Sequence, residues 1–309
     1  MKRLFYFVLL LAGVSSLHSC KDLADEDGNP LLDTNTTTGL TGPRALHQEV
    51  DNSHTIATYF YNGLQLSRVL TDSASVTNVA WSGNKVSTID FKGFLDLDDD
   101  KKLDKDSIVY TQLYTYGGTG RLETISENRS LYHRITTSPF SVANPSPQTL
   151  YKRVKTKYTI AYAAATGKLD LITMESGPEA TPFVNTDYST TKFEYMGDNV
   201  AQLIKNIGPM NGGVPGTPTE KYSYGFSNYD VNISPFTLLP TAYKISRLIS
   251  TNYKGEEGLI FSPNSPRRKT LTDLMEAIPV PQVASTDYRY DPQTYMTVGY
   301  TINYIYKPL

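Results

Sequence analysis

From Thr55 onward the chain repeats one short pattern: aromatic side chains at i and i+2, a small or turn-forming stretch, then aliphatic residues at alternating positions. Tyr59 and Tyr61 precede Asn62-Gly63 and then Leu64 and Leu66; Trp81 precedes Ser82-Gly83-Asn84 and then Val86 and Ile89. Tyr114 and Tyr116 precede Gly117-Gly118-Thr119-Gly120 and Leu122, and Tyr158, Ile160 and Tyr162 precede Ala163 to Gly167 and Leu169. Phe193 and Tyr195 precede Gly197-Asp198-Asn199 and Val200, Tyr222 and Tyr224 precede Gly225, and Tyr288 and Tyr290 precede Asp291-Pro292. The i, i+2 spacing sets both rings on one face of a strand. Gly and Asn supply the positive φ that reverses a chain tightly. Each unit therefore reads as a β-hairpin. A hairpin alone is marginal, so the units must stack side by side into a long antiparallel sheet. The alternating stretch Tyr300 to Tyr306 reads as a closing strand.

The expected fold class is all-β: a broad curved antiparallel meander of hairpins that can close into a barrel. Tyrosine supports it, with 23 copies against 11 Phe and one Trp, because its ring favours strands and its hydroxyl lets a half-buried side chain meet water. A Pro-rich stretch from about Ser234 to Ser285 breaks the pattern and reads as an excursion packed on one end or face of the sheet. The segment Thr270 to Ala277 predicts a short helix with Thr270 or Thr272 as cap and Pro279 as stop, and Thr241 to Ile249 a second.

The amino-terminal segment carries an address. Lys2 and Arg3 precede Leu4 to Val14, an apolar run too short for an ordinary transmembrane helix but suited to a signal peptide. Ser15-Ser16-Leu17-His18-Ser19-Cys20 follows, and Cys20 is the only cysteine of the chain. An aliphatic residue three before a cysteine and a small one just before it resemble the lipobox of bacterial lipoproteins, with His18 as the departure. The resemblance implies cleavage before Cys20 and attachment there of a diacylglycerol thioether and a further acyl chain such as palmitate. Each buried methylene contributes about 0.8 kcal/mol, so two or more chains give a stable membrane anchor. Lys21-Asp22, with Asp25, Glu26 and Asp27, resembles the surface-export signal of Bacteroidota lipoproteins. The expected organisation is a signal peptide over 1–19, a lipidated tether over 20–54 and one β domain over 55–309. The expected location is the outer membrane, on its outer or its periplasmic face.

The β units resemble degenerate YD-type repeats, and the chain resembles a Bacteroidota lipoprotein family of unknown function with a porin-like fold. The residues that carry this are Lys221-Tyr222-Ser223-Tyr224, Asn232 to Phe236, Ser262-Pro263-Asn264-Ser265-Pro266, and Tyr288-Arg289-Tyr290-Asp291 leading into the closing strand. Asp291-Pro292-Gln293-Thr294 stands where the family has an Asp-Gly turn. The resemblance implies a curved sheet and no catalytic residues.

Few segments suggest chemistry. Asp96, Asp98, Asp100 and Asp104 occupy positions 1, 3, 5 and 9 of a calcium-loop template, but Lys101 replaces its Gly and Ser107 its terminal Glu. The alternative is a solvated hairpin tip. His47, His54 and His133 have no Cys or carboxylate at ligand spacing. No nucleophile elbow, zincin helix or phosphate loop is present, so no cofactor is expected apart from calcium at that loop. Arg267-Arg268-Lys269 reads as a solvated basic loop. Without residues 1–19 the charged side chains are 29 − 2 = 27 basic and 31 acidic, a net −4, which argues against nucleic acid as a partner. The expected function is non-enzymatic binding of a glycan or protein by an anchored β domain. A structural component of an envelope complex, a glycan-acting hydrolase with dispersed carboxylates, and a transmembrane pore are the alternatives.

Overall fold

The computed structural model describes residues 44–51, 54–97, 106–134 and 148–308. Eighteen strands form one sheet among these residues. They are β1 (Arg44–Asp51), β2 (His54–Asn62), β3 (Gln65–Thr71), β4 (Ser75–Ser82), β5 (Lys85–Gly93), β6 (Ser107–Tyr116), β7 (Leu122–Arg134), β8 (Gln148–Tyr162) and β9 (Leu169–Pro178). Then follow β10 (Asp187–Met196), β11 (Asn199–Asn211), the two-residue β12 (Val214–Pro215), β13 (Glu220–Tyr229), β14 (Pro266–Asp273), β15 (Gln282–Ser285), β16 (Arg289–Tyr290), β17 (Met296–Gly299) and β18 (Ile302–Pro308). Every ladder is antiparallel, and neighbours in sequence pair in the sheet except that β11 pairs past β12 with β13, β15 and β16 are not joined, and β18 returns to β1. The expected meander is therefore the observed architecture. The ladder circuit is open at one seam, because no ladder joins β15 to β16. The two belong to one extended stretch whose first half pairs with β14 and whose second half pairs with β17.

The sheet begins before residue 55, where the tether was expected to end. Arg44–Asp51 pairs with both β18 and β2. Its burial explains this: Leu46 and Glu49 are each 1% exposed, so the segment faces the core.

The tight turns after β2, β4, β6, β8 and β10 all lie at one end of the sheet, as the registers require. Gly63 and Gly83 stand at φ 58° and 63° in two of these turns, a region other residues enter at a cost. The ladders shift register just before each turn, at Tyr61, Trp81, Tyr116, Tyr162 and Tyr195. A β-bulge re-aims the side chain it carries. Here it turns each ring onto the preceding hairpin. Tyr61 donates to the Leu46 carbonyl at 2.9 Å, Trp81 Nε1 to Leu66 at 2.8 Å, Tyr116 to Val86 at 2.9 Å and Tyr195 to Leu169 at 2.9 Å. Tyr162 makes the same bond to the Leu122 backbone. Lys85, Arg121 and Lys168 lie over the rings of Tyr116, Tyr162 and Tyr195 at 5.1, 5.3 and 5.3 Å from the centroids. The repeat seen in the sequence is thus a repeated latch between hairpins. Tyr222-x-Tyr224-Gly225 is the exception. It lies inside β13, and the chain does not reverse at Gly225; Tyr229 makes the latch instead, to Val200 at 2.5 Å.

Helix α1 (Thr241–Ile249) forms where the sequence predicts it, and a 3₁₀ helix (Lys254–Phe261) follows. The helix expected over Thr270 to Ala277 does not form. Residues 270–273 belong to β14, where Tyr224 pairs with Leu271 and Tyr222 with Asp273. Ladder bonds on both sides, to β13 and β15, outweigh a weak local helix preference, and Thr270 and Thr272 suit a strand. The excursion, expected over Ser234 to Ser285 on one end or face of the sheet, spans residues 230–265 and packs on the inner face. It lies within the curve of the sheet, since α1 and its flanks touch strands all around it: Glu49 on β1, Gln112 on β6, Arg129 on β7, Lys205 on β11 and Tyr304 on β18. Ile245, Leu248 and Ile260 are at most 1% exposed and share one core cluster with Leu46, Ile89, Ile125, Ile172 and Leu203 of the sheet. The excursion is a plug that fills the space enclosed by the curved sheet and joins its core.

Candidate functional site

The inward face of the sheet changes character from end to end. Near the tight turns the inward residues are apolar: Val79 on β4, Ile160 on β8, Ile172 on β9, Phe193 on β10. Toward the long loops the same strands turn in Ser75 and Thr77, Thr156, Ser176, and Ser189 and Thr191. Charged residues also face inward in this zone. Glu127 on β7 is 2% exposed and accepts from Arg129 Nε at 2.8 Å and from Gln112 Nε2 at 2.7 Å. Gln112 in turn accepts from Ser246 of α1 at 2.7 Å and from Tyr114 at 2.7 Å.

A second cluster pins the plug. Arg247 of α1 bonds Glu49 at 3.0 Å, Tyr59 at 2.8 Å and Glu257 of the 3₁₀ helix at 2.7 Å, and Tyr59 donates to Glu49. Burial pushes the Glu257 carboxyl up, but the Arg247 and Lys254 charges outweigh it and hold it below the usual range. For Lys205 the charge of Glu220 offsets burial only in part, and for Lys244 burial acts alone. Burial lowers each ammonium to about 8.

Two cavities flank the end of α1. One of about 280 Å³ lies between the plug and β1 to β6, lined by Glu49, Asp72, Tyr110, Arg247 and Glu257 among others. The other, about 570 Å³, lies between the plug and β7 to β11. Glu127, Arg129, Thr156, Tyr158 and Ser176 line it, and Pro178, Thr186 and Asp187 of the β9–β10 connection stand at its mouth. Arg129 lies over the Tyr110 ring at 5.0 Å and donates from Nη1 to the Ser250 carbonyl at 3.0 Å. Its Nη2 is buried with no hydrogen-bond partner among the described residues.

The outward face is mainly polar, with Phe60 of β2 and Leu113 of β6 exposed as isolated apolar residues. β8 alternates strictly, with Arg153, Lys155, Lys157 and Thr159 exposed between buried or half-buried Val154, Thr156, Tyr158 and Ile160. Asn78, Asp90, Lys92, Ser126, Asn128, Lys192 and Glu194 are likewise exposed on their strands. Among the described residues no helix is long and apolar enough to cross a membrane.

Cys20 and three of the calcium-loop residues, Asp98, Asp100 and Asp104, lie outside the described residues. Asp96 is half-buried just after β5. Among the described residues no group of three or more His, Cys, Asp or Glu side chains is arranged to hold a metal ion. His47 meets the Tyr59 carbonyl at 3.2 Å, and His133 meets Asp106 at 2.9 Å and stacks on Tyr151. Arg267, Arg268 and Lys269 are strand residues of β14, not a loop, and Lys269 lies over the Tyr300 ring. Sequence reasoning did not single out Glu49, Glu127, Arg129, Arg247 or Glu257. For Glu127 and Arg129 a signal existed: they share the parity of Ile125 and Leu131 on an alternating strand, so they had to face inward.

No protein-family model matches the chain, and no curated protein matches it. Solved structures similar to it include two porin-like proteins. A porin-like protein from Bacteroides vulgatus is 12% identical with a TM-score of 0.35, over 86% of this chain and 100% of that one. A porin-like protein from Bacteroides uniformis is 12% identical with a TM-score of 0.26, over 72% and 96%. At these values neither likeness bears on fold or function, and the architecture rests on the ladders themselves.

Proposed function

We propose that this chain is a lipoprotein held at the outer membrane by acyl chains on Cys20, displayed at the cell surface, with a β domain that binds a ligand without transforming it. One observation carries the reading of the domain: its outward face is mainly polar and its interior is filled by its own chain. A transmembrane barrel turns an apolar band about 25 Å tall toward lipid and keeps a polar interior. Arg153, Lys155 and Lys157 in a row on β8 oppose lipid contact, and Ile245, Leu248 and Ile260 sit where a conduit would run. A domain of this kind sits on a membrane only through an anchor, and the leader with its single cysteine supplies one. What the domain then offers is the pair of solvent-reaching cavities at its long-loop end.

Detergent phase partition of the full chain tests the anchor. The wild type is expected in the detergent phase and Cys20→Ala in the aqueous phase; equal partition of both overturns lipidation. Planar-bilayer recording of the full chain is expected to show no conductance steps, and regular steps would restore the pore. A second reading, a structural component of an envelope complex, draws on exposed apolar residues at neighbouring loops, namely Phe183, Val184, Val214, Ile278 and Val280. Crosslinking in intact cells that captures one defined partner through those loops would favour it.

A further inference from the structure

We propose that the cavity of about 570 Å³ is a binding site for a neutral saccharide, a short oligosaccharide whose hydroxyls are read by Thr156 and Ser176. This rests on the reading of the domain as a binding module. Its volume lies within the roughly 300–1,000 Å³ of small-ligand sites.

The lining decides the class. The Arg129 charge is matched by Glu127 at 2.8 Å, and the lining holds one further cation, Lys152, and one further anion, Asp187. The wall is therefore balanced, with no surplus charge to hold an anion or a cation. An apolar ligand would strand the hydroxyls of Thr156 and Ser176, and a buried polar group left without a partner costs about 1–3 kcal/mol. An added peptide strand needs free backbone edges, and the strands around the cavity, β7 through β11, are all paired on both sides. A saccharide meets each condition. Its hydroxyls both donate and accept, and its ring faces suit the apolar surface of Tyr158, Met174 and Ile207.

The full-length chain, solubilised in detergent, is applied to an array of neutral disaccharides and trisaccharides, and the bound ones are titrated calorimetrically. Binding is expected, with Thr156→Val and Ser176→Val each weakening it about tenfold, the worth of one hydrogen bond near 1.4 kcal/mol. Thr159→Val, on the outward face of the same strand, is expected to bind as the wild type. Unchanged thermal midpoints confirm that the variants fold; should Ser176→Val unfold, Ser176→Ala replaces it. The proposal is overturned if no neutral saccharide binds, or if the inward variants bind as tightly as Thr159→Val. Binding of a charged metabolite or a peptide instead sinks the saccharide and leaves the binding reading standing. Conductance, or release of a cleaved sugar, sinks the binding reading itself.

Discussion

Arg247 is the residue on which the plug's attachment turns. It neutralises two buried carboxylates from different parts of the chain, Glu49 at 2% side-chain exposure and Glu257 at 12%. Removing one partner of a buried ionic set leaves charge uncompensated, so Arg247→Ala is expected to cost about 3 kcal/mol, measured by urea denaturation. Arg247→Met combined with Glu49→Gln and Glu257→Gln should cost much less. The pH dependence follows from Glu257. Its folded pKa is depressed, so its contribution is complete above the ordinary carboxylate range and is lost as pH falls through the lowered value. Lys205 works in the opposite sense. Its folded pKa of about 8 lies below the unfolded 10.5, so the cost of burying the charge is fully present below pH 8 and is relieved as pH rises toward 10.5. Lys205→Met is expected to stabilise the protein by roughly 1–3 kcal/mol at pH 7 and to flatten the rise of stability between pH 8 and 10. A variant less stable than wild type at pH 7 would show that the ammonium has partners beyond the Thr251 carbonyl at 3.4 Å.

Between residue and molecule stands the hairpin unit. Its ring, its bulge and the cation over it are one device that sets the spacing between successive hairpins at the tight-turn end. Trp81 performs the task of the tyrosines with its indole N–H, so the unit requires an aromatic donor and not tyrosine as such. Tyr116→Phe keeps the ring and removes the bond to Val86, and Trp81→Phe keeps an aromatic ring, though a smaller one, and removes the bond to Leu66. Each is expected to cost about 1 kcal/mol by chemical denaturation. Tyr116→Leu should cost more, because the ring under Lys85 goes too. This unit was readable in the sequence as aromatic, turn and aliphatic, because period-2 alternation and turn chemistry are local. The contact partner of each ring was not, since it lies 15 to 40 positions away and depends on a bulge that no local signal marks. The failed helix at Thr270 to Ala277 has the same cause. Its cap and stop signals are local, but two ladders compete with them from outside the segment.

At the scale of the whole molecule, sheet and plug fold as one body. Phe236, Leu239, Ile245, Leu248 and Ile260 of the plug belong to the same core cluster as the strands from β1 to β18. Ile245→Ala and Leu248→Ala are each expected to cost 2–5 kcal/mol, as for other fully buried aliphatics. Far-ultraviolet dichroism and the fluorescence of Trp81, the only tryptophan, should report a single coincident transition. Separate transitions would mean that the plug can leave while the sheet persists. The sequence by itself determined the all-β class, the hairpin unit and the helix at Thr241 to Ile249, because residue periodicity and turn residues encode them within a few positions. Only the tertiary structure decided that Arg44–Asp51 belongs to the sheet, that the excursion lies inside it, and that Glu49, Arg247 and Glu257 meet. Those outcomes depend on how far the sheet curls, which is set by the sum of many small strand twists and bulges and has no signature at any one residue.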